Sequence, residues 1–321
     1  MLLAAAAAMR MLWFVSLPLP APAEETRAPV EPTAAGTGSP APAVTLPPSP
    51  APTLTPDPTP APTPTAAAPS AAIRVFTDAP EVQLKNDTSF AVDTAGLTAE
   101  PLTQTLPAQG PQILIVHTHG TEAYTAEPGR EYEATDPYRT TDAEHSVIRV
   151  GEVLAEALRR QGLNVAHDTG LYDYPRYTGS YTRSEAAVGA WLERYPSIAV
   201  VIDLHRDAVG TDPAACRTLA AASGGAAQVM LVVGTGENGL AHPLWRENLK
   251  LAISLQRAMD AGSPTLTRPI QLVRERYNQH LTTGSLILEV GNNGNTLTEA
   301  ERAVELFALA AGPVFLSLVG D

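Results

Sequence analysis

The chain has 321 residues, a formal net charge of −13 and a single cysteine, Cys216. The negative charge argues against a nucleic-acid partner, because binding to a duplex needs clustered Lys and Arg to neutralise phosphates. One cysteine excludes a disulfide framework, and it also excludes a structural zinc site built on several thiolates.

The first 23 residues, MLLAAAAAMRMLWFVSLPLPAPA, predict a targeting segment. Arg10 is their only charged residue, and the apolar run 11–23 ends in small residues and proline, as in a signal peptide. A retained membrane anchor is the alternative, although this run is shorter than the ~20 residues that a span needs. Both interpretations predict export or membrane tethering, with the folded domain outside the cytosol.

Residues 24–71 are rich in Pro, Ala and Thr and contain almost no large apolar side chains. Such a stretch cannot bury enough surface to offset the entropy of ordering its backbone. We therefore predict a disordered linker that favours extended polyproline II conformations and acts as a semi-stiff spacer.

The folded part is predicted to begin near residue 72. Residues 72–110 contain AIRVFTD and SFAVDT, which alternate weakly and predict a short β-like lead-in. From residue 111 to 321, strands alternate with helices. The predicted strands are 112–117, 163–168, 198–205, 228–234 and 285–291, and the predicted helices are 141–160, 183–194, 244–260 and 297–310. This order predicts a single three-layer α/β domain with a mostly parallel sheet.

Three of these strands carry polar residues at or near their carboxyl ends, where open α/β sheets bind their ligands. The first ends in HTHGTE (117–122), the third in DLHRD (203–207), and the last carries Glu289 before VGNNGN. Histidine and carboxylate side chains from separate strand ends are what a mononuclear catalytic zinc site requires. The joint pattern therefore favours a metal site, although each motif alone is more often structural.

We predict His119, Glu122 and His205 as the metal ligands. Residues three apart in a straight strand face opposite sides, so His119 and Glu122 can share a metal only if the chain bends at Gly120. His117 is either an alternative ligand or a group that supports one. Asp203 is predicted to orient a ligand histidine, as carboxylates near metal sites often do.

The chemistry needs two further groups. Glu289 lies in the apolar stretch SLILEVG, where a glutamate is costly unless it is paired or used, and we predict it to be the catalytic base. Arg206 is predicted to polarise the scissile carbonyl or to hold a substrate carboxylate, because its guanidinium pairs with such groups through two bonds.

These residues lie in stretches that resemble the stage II sporulation protein P family of cell-wall amidases. The matching stretches are ILIVHTHGTEAY, RTTDAEHSVIRVGEVLAEALRRQGLNV, VVIDLHRDA, VMLVVG and RYNQHLTTGSLILEVGNNGNTLTEA. They cover most of residues 111–305, in the order that the family has them. An N-terminal anchor before a variable spacer also fits this family.

The resemblance implies a zinc-dependent N-acetylmuramoyl-L-alanine amidase with a fold like that of zinc amidases and carboxypeptidases. Such an enzyme cuts peptidoglycan between N-acetylmuramic acid and the first alanine of the stem peptide, and the family is also credited with cutting peptide cross-links. It acts in septal wall thinning and engulfment at the mother-cell membrane, with the stage II sporulation proteins D and M as partners. Carried onto this chain, the zinc residues are His119, Glu122 and His205, and Glu289 is catalytic.

Two other functions fit the residues. A zinc carboxypeptidase or endopeptidase that acts only on stem peptides has a similar order of ligands. A non-catalytic wall-binding scaffold is the other alternative, and the presence of every group that the chemistry needs argues against it.

Overall fold

The structure, a computed structural model, describes residues 82–209 and 212–320. The predicted targeting segment 1–23 and the predicted linker 24–71 lie outside the described residues. Among the residues described, none of the helices combines the length and apolar character that a membrane span requires.

Strands and helices alternate over most of the described chain. The strands are β1 (Leu84–Asn86), β2 (Ile113–Val116), β3 (Val165–His167), β4 (Val200–Asp207), β5 (Val229–Gly234), β6 (Ile270–Val273) and β7 (Gly284–Asn292). The helices are α1 (Thr94–Ala99), α2 (Val147–Arg159), α3 (Ser180–Arg194), α4 (Pro213–Cys216), α5 (Trp245–Gly262) and α6 (Leu297–Leu316). Two 3-10 turns, Ala143–His145 and Gln279–Leu281, precede α2 and β7.

Within the described residues, the strands form one sheet in the order β1-β6-β5-β7-β4-β2-β3. Five of the six neighbouring pairs are parallel, and only β5 and β7 are antiparallel. The predicted α/β domain with a mostly parallel sheet is therefore confirmed. Because β7, β4, β2 and β3 run in one direction, the carboxyl ends of β2, β4 and β7 meet at the same edge.

Helices cover both faces of the sheet. On β2, Ile113 and Ile115 join the large core that α2, α5 and α6 complete. The alternating residues Leu114 and Val116 pack in a second core with Val188 of α3. This explains why the strand is an uninterrupted apolar run, since successive side chains enter opposite cores.

The described part of the predicted lead-in, residues 82–110, contains one strand and one helix. The strand, β1, pairs in parallel with β6. SFAVDT is not a strand, because Asp93 accepts a hydrogen bond from the Gly96 backbone N–H and thereby caps α1. Phe90 of the same stretch stacks on Trp245. The stretch AIRVFTD lies outside the described residues.

Candidate active site

The chain turns sharply after β2, as the proposed metal pair requires. The backbone N–H of Glu122 donates to the carbonyl of His119 at 3.0 Å, which closes a turn around Gly120. A Cβ at Gly120 would approach both the Gly170 carbonyl and the Leu171 side chain to 3.1 Å. The glycine therefore permits the close approach of a neighbouring loop and is not there to adopt a left-handed conformation.

The turn brings His119 and Glu122 against His205 at the end of β4. The His119 and His205 rings are perpendicular, with centroids 5.3 Å apart. Nδ1 of His205 lies 3.4 Å from Oε2 of Glu122. All three side chains are buried. The three predicted ligands, taken from two distant parts of the sequence, thus form one cluster.

The two histidines have different electrostatic surroundings. Burial, reinforced by His205, lowers the pKa of His119 to about 4, so its ring is neutral at pH 7. Burial also opposes the charged form of His205, but the charges of Asp203 and Glu122 outweigh it and raise the pKa of His205 well above its ordinary value. The neutral ring of His119 is ready to act as a ligand, whereas His205 must release a proton first.

Asp203 lies beside His205, as predicted. Its Oδ1 is 2.9 Å from Nε2 of His205, which is an ion-pair distance, although the orientation does not meet hydrogen-bond geometry. The carboxylate also accepts bonds from the backbone N–H and the hydroxyl of Thr118, at 2.8 and 2.7 Å. Burial opposes its charge, yet His205 and these bonds together lower the pKa of Asp203. Asp203 is thus fixed by Thr118, just after β2, and in turn restrains the His205 ring.

Glu289 of β7 is paired in register with His205 of β4. Residues paired in this way on parallel strands point to the same face of the sheet. Burial is the main reason why the pKa of Glu289 rises to about 8, and the neighbouring charges of Glu122 and Asp207 raise it further. Its Oε2 atom is buried without a hydrogen-bond partner. The structure therefore places a carboxyl group that titrates near neutral pH beside the histidine cluster.

Arg206 is buried, and its guanidinium bonds to the protein itself. Nε and Nη2 donate to the carbonyls of Ala123 and Tyr138, each at 3.0 Å. Nη1 lies 3.7 Å from Oε1 of Glu122, and the Arg206 backbone N–H donates to Oε2 of the same carboxylate at 3.2 Å. These contacts hold Glu122 in place, while the predicted contact of Arg206 with a substrate remains a prediction.

His117 lies apart from the cluster of His119, Glu122 and His205. Its Nδ1 donates to the Leu204 carbonyl at 2.9 Å, and its Nε2 lies 2.9 Å from Nε2 of His167. Burial, followed by the charge of His167, lowers the pKa of His117 to about 3. Of the two histidines that the sequence left open as ligands, the structure therefore brings His119 to the cluster.

Three residues around the site were not predicted. Tyr177 stacks on the His119 ring at 4.6 Å, and its hydroxyl lies 3.1 Å from Nε2 of His119. Asp173 accepts hydrogen bonds from Thr121, and Arg139 bonds to Asp173. Asp173 and Tyr177 lie in the loop between β3 and α3, and Arg139 lies in the loop before α2. Neither loop has a periodic pattern that would direct attention to them.

The donor atoms of His119, Glu122 and His205 are of the types that bind zinc. Two imidazoles and one carboxylate are a known ligand set for catalytic zinc. Nδ1 of His119 is buried without a hydrogen-bond partner, as a nitrogen available to a metal would be. Across residues 82–209 and 212–320, no group of three His, Cys, Asp or Glu side chains is arranged so that it could hold a metal ion. Here His205 points its nitrogens at Asp203 and Glu122, so binding would require its ring to reorient.

The fold and the site define an α/β protein with a cluster of histidines and carboxylates at the carboxyl edge of a largely parallel sheet. The family model for stage II sporulation protein P matches residues 70–311, and the chain belongs to this family. The resemblance found in the sequence is thereby confirmed.

A curated relative gives the same family. Stage II sporulation protein P of Bacillus subtilis (strain 168) is 30% identical over 225 residues, which are 65% of this chain and 51% of that protein. The chain therefore spans about half the length of the curated relative it matches.

Solved structures with partial similarity include several amidases. Ami1 of Mycobacterium smegmatis, an N-acetylmuramyl-L-alanine amidase, has 12% identity and a TM-score of 0.38, covering 66% of this chain and 99% of that one. AmiC2 of Nostoc punctiforme, an N-acetylmuramoyl-L-alanine amidase, has 10% identity and a TM-score of 0.35, covering 65% and 97%.

Proposed function

We propose that this protein is a zinc-dependent peptidoglycan hydrolase that acts in sporulation, and that it cleaves the amide between N-acetylmuramic acid and L-alanine. The observation that carries the proposal is the cluster of His119, Glu122 and His205 with Glu289 in register beside it. Membership of the stage II sporulation protein P family supports the role in sporulation.

Each residue has a defined task in this proposal. His119, Glu122 and His205 would hold the zinc ion, which when bound supplies Lewis acidity that polarises the amide carbonyl and makes water more acidic. Glu289 takes a proton from the attacking water at Oε2 and passes it to the departing alanine nitrogen. Glu289 must be ionised to accept this proton. In the metal-free protein burial raises its pKa to about 8, and the positive charge of a bound zinc ion would favour the ionised form.

The biological setting follows from the family. We propose that the enzyme works on the septal wall during thinning and engulfment, tethered or exported through its N-terminal segment. We also propose the stage II sporulation proteins D and M as its partners.

The test is product analysis. Purified protein is incubated with peptidoglycan, with a chelator and with zinc added back, and the released fragments are identified by mass spectrometry. Zinc-dependent release of stem peptides that begin with a free alanine amine is the expected result. Loss of terminal residues from stem peptides would point to a carboxypeptidase. Cleavage of peptide cross-links without release of stem peptides would point to an endopeptidase. A folded, zinc-loaded protein that binds the wall but releases nothing, even with the two partners present, would favour a scaffold.

A further inference from the structure

A buried carboxylate from another loop holds the middle of the turn after β2. Asp173 has no exposed side-chain surface. It accepts bonds from the Thr121 hydroxyl at 2.5 Å and from the Thr121 backbone N–H at 3.2 and 3.4 Å. Thr121 directly precedes the proposed ligand Glu122, so these bonds restrain the backbone from which that carboxylate projects.

Arg139 connects this carboxylate to the proposed ligand. Its Nη1 donates to Oδ2 of Asp173 at 2.6 Å and to the Thr121 hydroxyl at 3.0 Å. Its Nη2 lies 3.5 Å from Oε1 of Glu122. One planar guanidinium thus spans two carboxylates, a task for which its fixed fork of donors is suited.

The same guanidinium also contacts the group that covers His119. Arg139 lies over the Tyr177 ring, 5.0 Å from its centroid, and the same ring stacks on His119. Asp173 itself approaches Nδ1 of His119 only to 3.9 Å, which is too long for a hydrogen bond. Arg139 therefore touches both ends of the H-x-x-E turn, directly at Glu122 and through Tyr177 at His119.

The backbone explains how Arg139 comes to be there. The segment around it pairs with the turn, because the Ala123 N–H donates to the Tyr138 carbonyl at 2.9 Å and the Thr140 N–H donates to the Thr121 carbonyl at 2.8 Å. Arg139 lies between these two hydrogen bonds, which hold its backbone beside the turn.

We propose that Arg139 and Asp173 form the positioning pair that sets the distance between His119 and Glu122 for metal binding. This inference rests on the proposed zinc site. Groups that orient metal ligands typically change metal affinity by ~10–100-fold when they are removed.

The test compares zinc affinity, local hydrogen exchange and thermal stability in the full-length protein. Arg139→Gln and Asp173→Asn are each expected to weaken zinc binding about 10-fold or more, measured by competition with a chelator. Both should increase amide exchange within residues 117–124. Arg139→Lys should recover only part of the affinity, since a point charge cannot bridge two carboxylates in one plane. The double variant should lose little more than the worse single variant, because the two residues act as one unit.

Arg217→Gln is the matched control. Arg217 is likewise a partly exposed arginine paired with a buried carboxylate, that of Glu299, the first-turn acid of α6. This variant should lose comparable thermal stability while zinc affinity and exchange at 117–124 remain unchanged.

The proposal is overturned if Arg139→Gln leaves both affinity and local exchange unchanged, or if Arg217→Gln alters them equally. If the unmodified protein binds no zinc, the proposed function fails, and the exchange measurement alone decides the role of Arg139 and Asp173.

Discussion

His205 and Glu289 are direct neighbours across the parallel strands β4 and β7, paired in register. Adjacent strands lie ~4.8 Å apart, and paired residues point to the same face. The backbone positions of the proposed ligand and the proposed base are therefore fixed relative to each other by the hydrogen bonds of the sheet, with no loop between them. The two strands are long, at eight and nine residues, which makes this part of the site rigid.

The first prediction is that Glu289→Gln abolishes turnover without removing zinc. The amide has nearly the same shape but cannot accept a proton, so peptidoglycan cleavage should fall by ~10²–10⁴-fold. Zinc stoichiometry, measured by atomic absorption on the dialysed protein, should remain at the unmodified value. Glu301→Gln, in a glutamate that pairs with Arg130 and Arg149, is the control and should keep full activity. Full activity in Glu289→Gln would remove this residue from its role.

The second prediction concerns the stability of the metal-free protein against pH. The folded state holds the pKa of Glu289 at about 8, above its ordinary value of 4.5. Between these values the folded protein binds more protons than the unfolded chain, so this group lowers stability as pH rises from 4.5 to about 8. Glu289→Gln should therefore be more stable than the unmodified protein at pH 8, by up to ~4 kcal/mol at ~1.4 kcal/mol per pKa unit, and nearly equal at pH 4.5. Urea unfolding at both pH values measures this, and an equal difference at both would contradict it.

Strong apolar runs made the central strands predictable from the sequence, but nothing local indicated the direction of β5. Its run VMLVVG predicts a buried strand. It pairs antiparallel with β7. The direction of such a pairing depends on residues far apart in the sequence, so the six residues of β5 do not indicate it. β6 was missed because IQLV is only four residues long and alternates between buried and half-buried positions.

Of the candidate site, too, only part could be predicted from the sequence. His119, Glu122, His205 and Glu289 were found because polar residues at the ends of apolar strands are conspicuous. Asp173 and Arg139 were missed because the groups that support a site come from loops, and only the folded backbone brings them together. The sequence also did not indicate that Arg206 bonds to two backbone carbonyls, and its predicted contact with a substrate stays a prediction.

The third prediction separates the two histidines of HTHG. His119→Ala and His205→Ala should each lose stoichiometric zinc, because each removes one of three proposed ligands. His117→Ala should keep the metal, since its ring bonds to Leu204 and His167, away from the cluster. Zinc content after dialysis measures this, with circular dichroism to show that each variant is folded. Retained zinc in His205→Ala, or lost zinc in a folded His117→Ala, would contradict the assignment.

The fourth prediction concerns the tight packing of α2 on the His117–His167 pair. A Cβ at Gly151 would lie 2.5 Å from Nε2 of His117 and 2.8 Å from Nε2 of His167. Gly151→Ala should therefore destabilise the protein by ~1–3 kcal/mol, despite the better helix propensity of alanine. Gly189→Ala in α3 is the control, because nothing lies within 4 Å of its Cβ. That change should stabilise by up to ~1 kcal/mol in urea unfolding. Equal effects at the two positions would show that packing at Gly151 is loose.

The fifth prediction follows from the hydrogen bonds that link His117 to the surface. Because the Leu204 carbonyl can only accept, His117 donates from Nδ1, and its Nε2 must then accept from Nε2 of His167. The other nitrogen of His167 lies 2.7 Å from Oε2 of Glu152 and donates to that carboxylate. His167 thus connects the buried His117 to the partly exposed carboxylate of Glu152.

Glu152 should therefore contribute stability that acid removes. The hydrogen bond from His167 is the main reason why the pKa of Glu152 falls to about 2, below its ordinary value of 4.5. Its contribution is fully present above pH 4.5 and is lost as pH falls through about 2. In Glu152→Gln the melting temperature should decline less steeply across this interval than in the unmodified protein. Glu156→Gln is the control, because Glu156 and its partner Arg160 are both exposed on the same helix and 3.9 Å apart. If the melting temperature falls equally steeply with decreasing pH in both variants, the bond between His167 and Glu152 adds nothing to stability.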